Sequence, residues 1–199
     1  MTISAKDVKK LRDMTGCGMM DCKRALVESN GDFEKAVELL RKWGVAKAEK
    51  KALRPTDQGI ITAYIHPGNR IGVLLEIKCE TDFVARNELF HELAENICMQ
   101  IAAMRPIAVD RQSIPQDIIE RERRILMEQE DIKKKPEHIR PKIVEGRLKK
   151  FYEQACLLEQ PYIRNDKITV GDYIKEVVSK LGENIRVTRF VRFELGEEV

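Results

Sequence analysis

The chain has 199 residues, enough for one well-packed domain and a smaller second one. Charged residues make up 35% of it, yet 36 basic and 33 acidic side chains leave a net charge of only +3. So even a spread lacks the gathered basic face by which phosphate backbones are bound, and it argues against an RNA-binding factor.

High charge with sparse Asn and Gln fits a heat-adapted protein. The start, Met1-Thr2-Ile3-Ser4-Ala5-Lys6-Asp7, has no apolar signal core, and no apolar run approaches the roughly 18 residues of a membrane helix. A soluble, cytoplasmic protein is expected, with no membrane contact. The cysteines, Cys17, Cys22, Cys79, Cys98 and Cys156, show no C-x-x-C spacing and read as buried, reduced thiols. A thiol enzyme built on Cys22 or Cys79 would need a basic activator that the neighbouring sequence does not supply. His66, His91 and His138 are scattered, so neither a metal site nor a cofactor is expected.

Residues 4–44 read as three short helices. Ser4 and Asp7 have capping-box spacing, and Val8, Leu11 and Met14 share a face. Thr15-Gly16-Cys17-Gly18 breaks the first helix. The second carries Cys22, Ala25 and Leu26 on one face and ends at Asn30-Gly31. Asp32 caps the third, whose inner face is Phe33, Ala36, Val37 and Leu40 and whose stop is Gly44. So small a core accommodates at most one of Met19 and Met20. They are either gap fillers or an exposed, adaptable contact surface. Residues 46–57 are helix-prone without an apolar stripe, a run that Pro55 breaks, and read as a solvated, partly helical linker.

From Gly59 the apolar period becomes two. Ile60–His66 and Ile71–Ile77 read as a hairpin around Pro67-Gly68-Asn69-Arg70, with Ile71, Val73, Leu75 and Ile77 on one face. The corner that follows is Cys79-Glu80-Thr81-Asp82-Phe83-Val84-Ala85-Arg86-Asn87. Thr81 or Asp82 can cap a first turn there, and Asn87 a longer helix. Phe83 is out of place on a solvated corner. It either tucks beneath its own helix or is offered, with Asp82, as a wedge to a partner. Phe90, Leu93, Ala94, Ile97, Ile101 and Met104 then form the face of a long helix ended by Pro106.

A helix follows over about 115–130, with Ile118, Ile119, Ile125 and Leu126 apolar, and Lys133–Pro136 breaks it. Another runs from Pro141 to about Leu158, with Ile143, Val144, Leu148, Phe151 and Ala155 inward. Thr169 starts a last helix facing inward through Tyr173, Val177 and Leu181, and Gly182 stops it. The final strand is Ile185–Leu195. Val191 and Phe193 lie on one side of it and Phe190 on the other.

The fold class is therefore α+β. A three-helix module (1–45) and a linker (46–57) precede a core (58–199) with a small three-stranded antiparallel sheet packed with helices. The chain has no phosphate-binding glycine loop, G-x-S-x-G elbow or H-E-x-x-H helix, so an enzyme has no constellation to rest on.

Two long segments and two short ones carry a resemblance. Val8–Leu26, with Thr15-Gly16-Cys17-Gly18-Met19-Met20-Asp21-Cys22 at its centre, resembles the opening signature of the elongation factor Ts family. Glu80–Asn87 resembles its second signature, and Val144–Leu148 and Leu158–Pro161 resemble parts of its C-terminal half. The likeness runs from about Thr2 to Leu195. Cys17, where the family often has Ala, and the early Pro141 are small departures.

The resemblance implies a ubiquitin-associated-like N-terminal module. It also implies a guanine-nucleotide exchange factor for the GTPase elongation factor Tu, without catalytic residues of its own. By the same resemblance, Thr81, Asp82, Phe83 and Val84 act near the GTPase's bound magnesium, and Arg12, Met19, Met20 and Lys23 grip its nucleotide domain. With the family in view, the wedge is the favoured reading of Phe83. Longer family members carry two copies of the core and this chain only one, so a homodimer forming a two-to-two complex is expected.

Overall fold

The computed structural model describes residues 3–197. In chain order the elements are α1 (Ala5–Thr15), α2 (Met19–Glu28), α3 (Phe33–Lys51), β1 (Gln58–Ile65), β2 (Ile71–Cys79), α4 (Asp82–Ala85) and α5 (Glu88–Met104). Then come α6 (Gln116–Glu128), α7 (Glu130–Lys133), α8 (Arg140–Ala155), β3 (Pro161–Tyr162), β4 (Asn165–Thr169), α9 (Val170–Leu181) and β5 (Ile185–Glu194). The fold class is α+β, with a three-stranded antiparallel sheet of order β1-β2-β5 and a two-stranded sheet β3-β4.

The chain forms two compact units. One takes the chain up to Ile60 with Ile77–Leu93 and Asp172–Arg186; the other takes Ile61–Glu76, Ala94–Gly171 and the chain from Val187 on.

In the first unit the helix starts follow local chemistry. Ser4 Oγ accepts from the Asp7 amide at 3.1 Å, and the Asp7 carboxylate accepts in return from the Ser4 amide. Asp32 accepts from the Lys35 amide at the start of α3. Val8, Leu11, Cys22, Ala25, Leu26, Ala36 and Leu40 form the core of the three helices, with Phe33 and Val37 packed at its edge. Met14, expected on the inner face of α1, is exposed. It lies in the last turn, past the reach of that small core.

Gly44 does not stop the third helix. α3 continues to Lys51, so the helix expected in part of the linker is an extension of α3, and it is not fully solvated, since Ala48 is buried. Gly44 serves a tertiary purpose instead. A Cβ there would stand 3.0 Å from Ser179 Oγ, so the missing side chain lets α3 and α9 approach closely. Arg41–Glu176 at 2.8 Å and Lys175–Glu49 at 3.5 Å join the same two helices.

The hairpin has the expected alternation: Val73, Leu75 and Ile77 are buried, while Leu74 is exposed. Gly59 is required by the pairing itself. Its φ is +152°, and a Cβ would fall 2.3 Å from the Ile77 carbonyl oxygen.

In the second unit α6, α7 and α8 gather around Leu126, Ile132, Val144 and Leu148. The turn α7 was not foreseen, because Ile132 sits beside a lysine run that reads as solvated. Met104, on the apolar face read for α5, and Ile125, one of the apolar residues of α6, are exposed. Pro141 lies in the first turn of α8, which ends at Ala155 and not near Leu158. The β3–β4 pair was also missed. It is held by Gln100, whose Nε2 donates to Gln160 Oε1 at 3.0 Å and to the Pro161 carbonyl, and whose Oε1 accepts from the Ile163 amide. In α9 the buried residues are Val170, Ile174, Val177 and Val178; the expected Tyr173 and Leu181 flank that face half-buried.

Burial along β5 changes partway. Ile185 and Val187 are buried, while Val191, Phe193 and Leu195 are exposed. Arg192 points the other way and donates to the Ala102 carbonyl, on the side where Phe190 is half-buried.

Candidate functional site

The corner after β2 is a single helical turn, α4, whose cap residue is bonded through its amide, its hydroxyl and its carbonyl. Thr81 is the cap: its Oγ1 accepts from the Val84 amide at 3.5 Å. The Thr81 amide donates to Glu183 Oε2 at 2.9 Å, and its hydroxyl donates to Glu183 Oε1 at 2.6 Å. The Cys79 thiol donates to the Thr81 carbonyl at 3.1 Å. Burial, with the Glu183 charge adding to it, pushes that thiol up to about 11, so it stays protonated and able to donate. Asn87 Oδ1 accepts from the Leu89 amide and so starts α5.

This bracing fixes where the turn's side chains point. Val84 and Ala85 are buried and seat the turn on the first unit. Phe83 is 80% exposed, so the alternative in which it tucks beneath its own helix does not hold. Asp82 is half-exposed and pairs with Arg86 at 3.0 Å. The turn therefore presents an aromatic ring and a carboxylate side by side to solvent. An exposed aromatic of this kind marks a contact surface when its backbone is rigidly held.

The second candidate patch lies at the start of α2. Met19 and Met20 are 42% and 74% exposed, so neither fills the core. Lys23 and Arg12 are exposed as well. Met20, Lys23 and Val27 follow one another at helical spacing, and Val27 is an exposed apolar residue that sequence reasoning did not single out. Behind this face, Arg24 stacks over the Trp43 ring at 4.2 Å and pairs with Glu28, and Asp21 pairs with Lys47 at 2.7 Å. The patch is apolar and basic, on a helix anchored from behind.

Glu183 and Asn184 also went unnoticed in the sequence. Asn184 is buried; its amide donates to Glu80 Oε1 at 2.6 Å, and its Nδ2 donates to the carbonyls of Ala52 and Arg54. No local pattern marks such residues, because their partners are more than a hundred positions away.

Among the described residues no three His, Cys, Asp or Glu side chains gather to hold a metal ion, and no helix is long and apolar enough to cross a membrane. Cys22, Cys79, Cys98 and Cys156 are all buried, and burial raises the pKa of each. That is the reverse of an activated nucleophile.

The two candidate surfaces are thus a braced turn that exposes Phe83 and a helix face that exposes Met19 and Met20. The family model for Elongation factor TS matches residues 33–197. The chain is 59% identical over 198 residues to elongation factor Ts of Thermotoga neapolitana, covering 100% of both chains. It is 56% identical to that of Nitratidesulfovibrio vulgaris, over 100% of this chain and 99% of the relative. With elongation factor Ts of a Thermoanaerobacter species it shares 54% identity over 99% of this chain and 97% of the relative. The chain belongs to the elongation factor Ts family.

Proposed function

We propose that this protein is a cytoplasmic guanine-nucleotide exchange factor. It binds the GTPase elongation factor Tu and speeds GDP release by displacing that partner's magnesium ion. The observation that carries the reading is the exposure of Phe83 beside Asp82 on a turn whose other residues are buried or bonded. The segment Thr81, Asp82, Phe83 and Val84 works as one piece. Phe83 wedges between elements of the partner and Asp82 brings its charge toward the ion, while Thr81 and Val84 hold the turn. Loss of the ion removes the charge that neutralises the β-phosphate, so GDP leaves faster. Linkage requires that the factor bind the empty GTPase more tightly by the factor with which it weakens nucleotide. No catalytic acid, base, metal or cofactor of the factor's own enters this scheme.

Residues 1–45, read as a ubiquitin-associated-like module, dock on the nucleotide domain through Arg12, Met19, Met20 and Lys23. The exposed methionines support this, since their flexible thioethers adapt to a partner helix.

We also read the protein as a homodimer working in a two-to-two complex. The open face of the sheet supports it. Ile61, Ile65, Leu74, Val191, Phe193 and Leu195 are all exposed there. Ile65 reaches over Gly72, where a Cβ would meet its Cδ1 at 3.2 Å, and Arg189 pairs with Glu76 at 2.9 Å on the same side. A row of exposed aliphatic and aromatic residues across three strands is the surface a second copy would cover. The dense ion pairing, such as Arg192 with both Glu194 and Glu197, fits a heat-adapted protein.

The direct test loads elongation factor Tu with fluorescent GDP, adds this protein and times the loss of signal. Acceleration that saturates with concentration is expected. Release at the spontaneous rate at every concentration would overturn the reading.

A further inference from the structure

The turn between α9 and β5 has no place in the scheme above, yet it is bonded through three consecutive residues. Three consecutive residues reach two separate parts of the chain. The Gly182 carbonyl accepts from Lys51 Nζ at 2.6 Å. Glu183 takes both donors of Thr81, at 2.9 and 2.6 Å. Asn184 donates its amide to Glu80 Oε1 at 2.6 Å and its side chain to the carbonyls of Ala52, at 3.3 Å, and Arg54, at 2.8 Å. Arg54 closes the circle with an ion pair to Glu80 at 3.6 Å.

Two kinds of backbone end meet at this turn. One is the C-terminal end of α3, the third helix of the docking module. Its last carbonyls are orphans by helix geometry, and Asn184 satisfies the Ala52 carbonyl just beyond them. The other is the first residue of the corner. An N-cap threonine already spends its oxygen on the Val84 amide, so a one-turn helix alone leaves the Thr81 rotamer and entry angle weakly held. The Glu183 carboxylate supplies what is missing, a bidentate acceptor for the Thr81 amide and hydroxyl together. Asp82 and Phe83 follow directly, so their direction is set one residue upstream.

We propose that the Gly182–Asn184 turn is a positioning clasp. Glu183 fixes the entry angle of the turn that presents Asp82 and Phe83, and Asn184 ties that turn to the end of α3, so docking surface and wedge are held in register. This inference rests on the exchange-factor reading and adds to it the residues that aim the wedge without touching the partner.

The test uses the full chain and two independent readouts. Amide hydrogen exchange, with no partner present, reads the clasp itself. Glu183→Ala should speed exchange at the Thr81 and Val84 amides by about tenfold or more, with the amides of Leu11 and Leu26 unchanged. Glu183→Gln should recover most of the protection, because its carbonyl accepts from the amide while its NH2 donates to the threonine oxygen. Nucleotide release reads the role. Glu183→Ala should lower the maximal rate of GDP release about tenfold while moving the half-saturating concentration less than about threefold. Combined with Phe83→Ala, it should add little to the loss from Phe83→Ala alone, because an aiming residue has nothing left to aim.

Multiplying losses in the double variant would mean a general structural role and overturn the clasp. Unchanged amide protection in Glu183→Ala would overturn it as well. A loosened corner in Glu183→Ala, combined with wild-type release by Phe83→Ala, would instead bring down the wedge reading, and the clasp's role in exchange with it.

Discussion

Phe83 and Val84 are consecutive residues of one helical turn and face opposite ways, the first 80% exposed and the second 8%. Contact and support are thus divided between neighbours, and truncation should separate them. Phe83→Ala removes almost no buried surface, so the thermal midpoint should hold, as for exposed substitutions generally. Its exchange rate should fall by one or more orders of magnitude. Truncating an anchoring aromatic costs about 2 kcal/mol or more, roughly 30-fold. Val84→Ala should show the reverse, a lowered midpoint with a smaller effect on exchange. Full activity in a folded Phe83→Ala protein would rule out the wedge. Asp82→Ala should act like Phe83→Ala, less strongly.

The patch on α2 should answer to binding and not to maximal rate. Met20→Ala and Lys23→Glu both lie on an exposed face, so neither should unfold the module. Titrations of exchange against concentration should give a half-saturation point raised about tenfold for the pair, with the plateau retained. An unshifted titration would leave Met19 and Met20 as ordinary surface residues.

What the sequence disclosed, and what it hid, follows from the range over which each residue acts. Ser4, Asp32, Thr81 and Asn87 were legible as caps because their partners lie two or three residues away. The strand faces of the hairpin were legible because alternation is a local pattern. Gly44 was misread as a stop because its reason, close approach to Ser179, lies across the fold. Met14, Met104 and Ile125 sit at periodic positions near helix ends or outer faces, and period alone does not say how far a core extends. The β3–β4 pair depends on Gln100 and Gln160, sixty residues apart, and no propensity announces it. At the site, residue type left Phe83 open between staple and wedge; burial of its neighbours on the rigid turn decides for exposure. Glu183 looks in sequence like any polar residue after a helix-ending glycine.

The proposed dimer can be tested through the open sheet face. Light scattering of the wild-type chain at micromolar concentration, under reducing conditions, should give twice the 23.0 kDa chain mass. Phe193→Lys should give a monomer without loss of helix content, because Phe193 is exposed in the single chain. The exposed residues of that face include no cysteine, so reductant should leave the wild-type mass unchanged. A wild-type mass of one chain would refute the dimer.

The thiols give a pH test with a definite sign. Burial raises Cys79 and Cys156 to about 11 and Cys98 to about 12. The reactive thiolate of each is therefore scarce at neutral pH and grows only as pH climbs toward those values. Alkylation by iodoacetamide at pH 7 should be confined to the half-buried Cys17, with exchange activity retained. Rapid alkylation of Cys79 at pH 7 would contradict the bonded corner, since its proton is the one donated to the Thr81 carbonyl.

On the proposed reading, the unbroken third helix bears on how the protein lets go of its partner. α3 runs 19 residues, about 28 Å, from its packing against α1 and α2 to the Gly182–Asn184 turn, with α9 laid along it. Two surfaces carried on one stiff body lose their translational and rotational freedom together, so the second contact adds grip without a second entropic penalty. They also release together. A flexible tether would leave one surface attached after the other had gone and invite immediate rebinding. A stiff one makes departure a single event, which the proposed exchange-factor reading needs if the partner is to be freed for its next round of work.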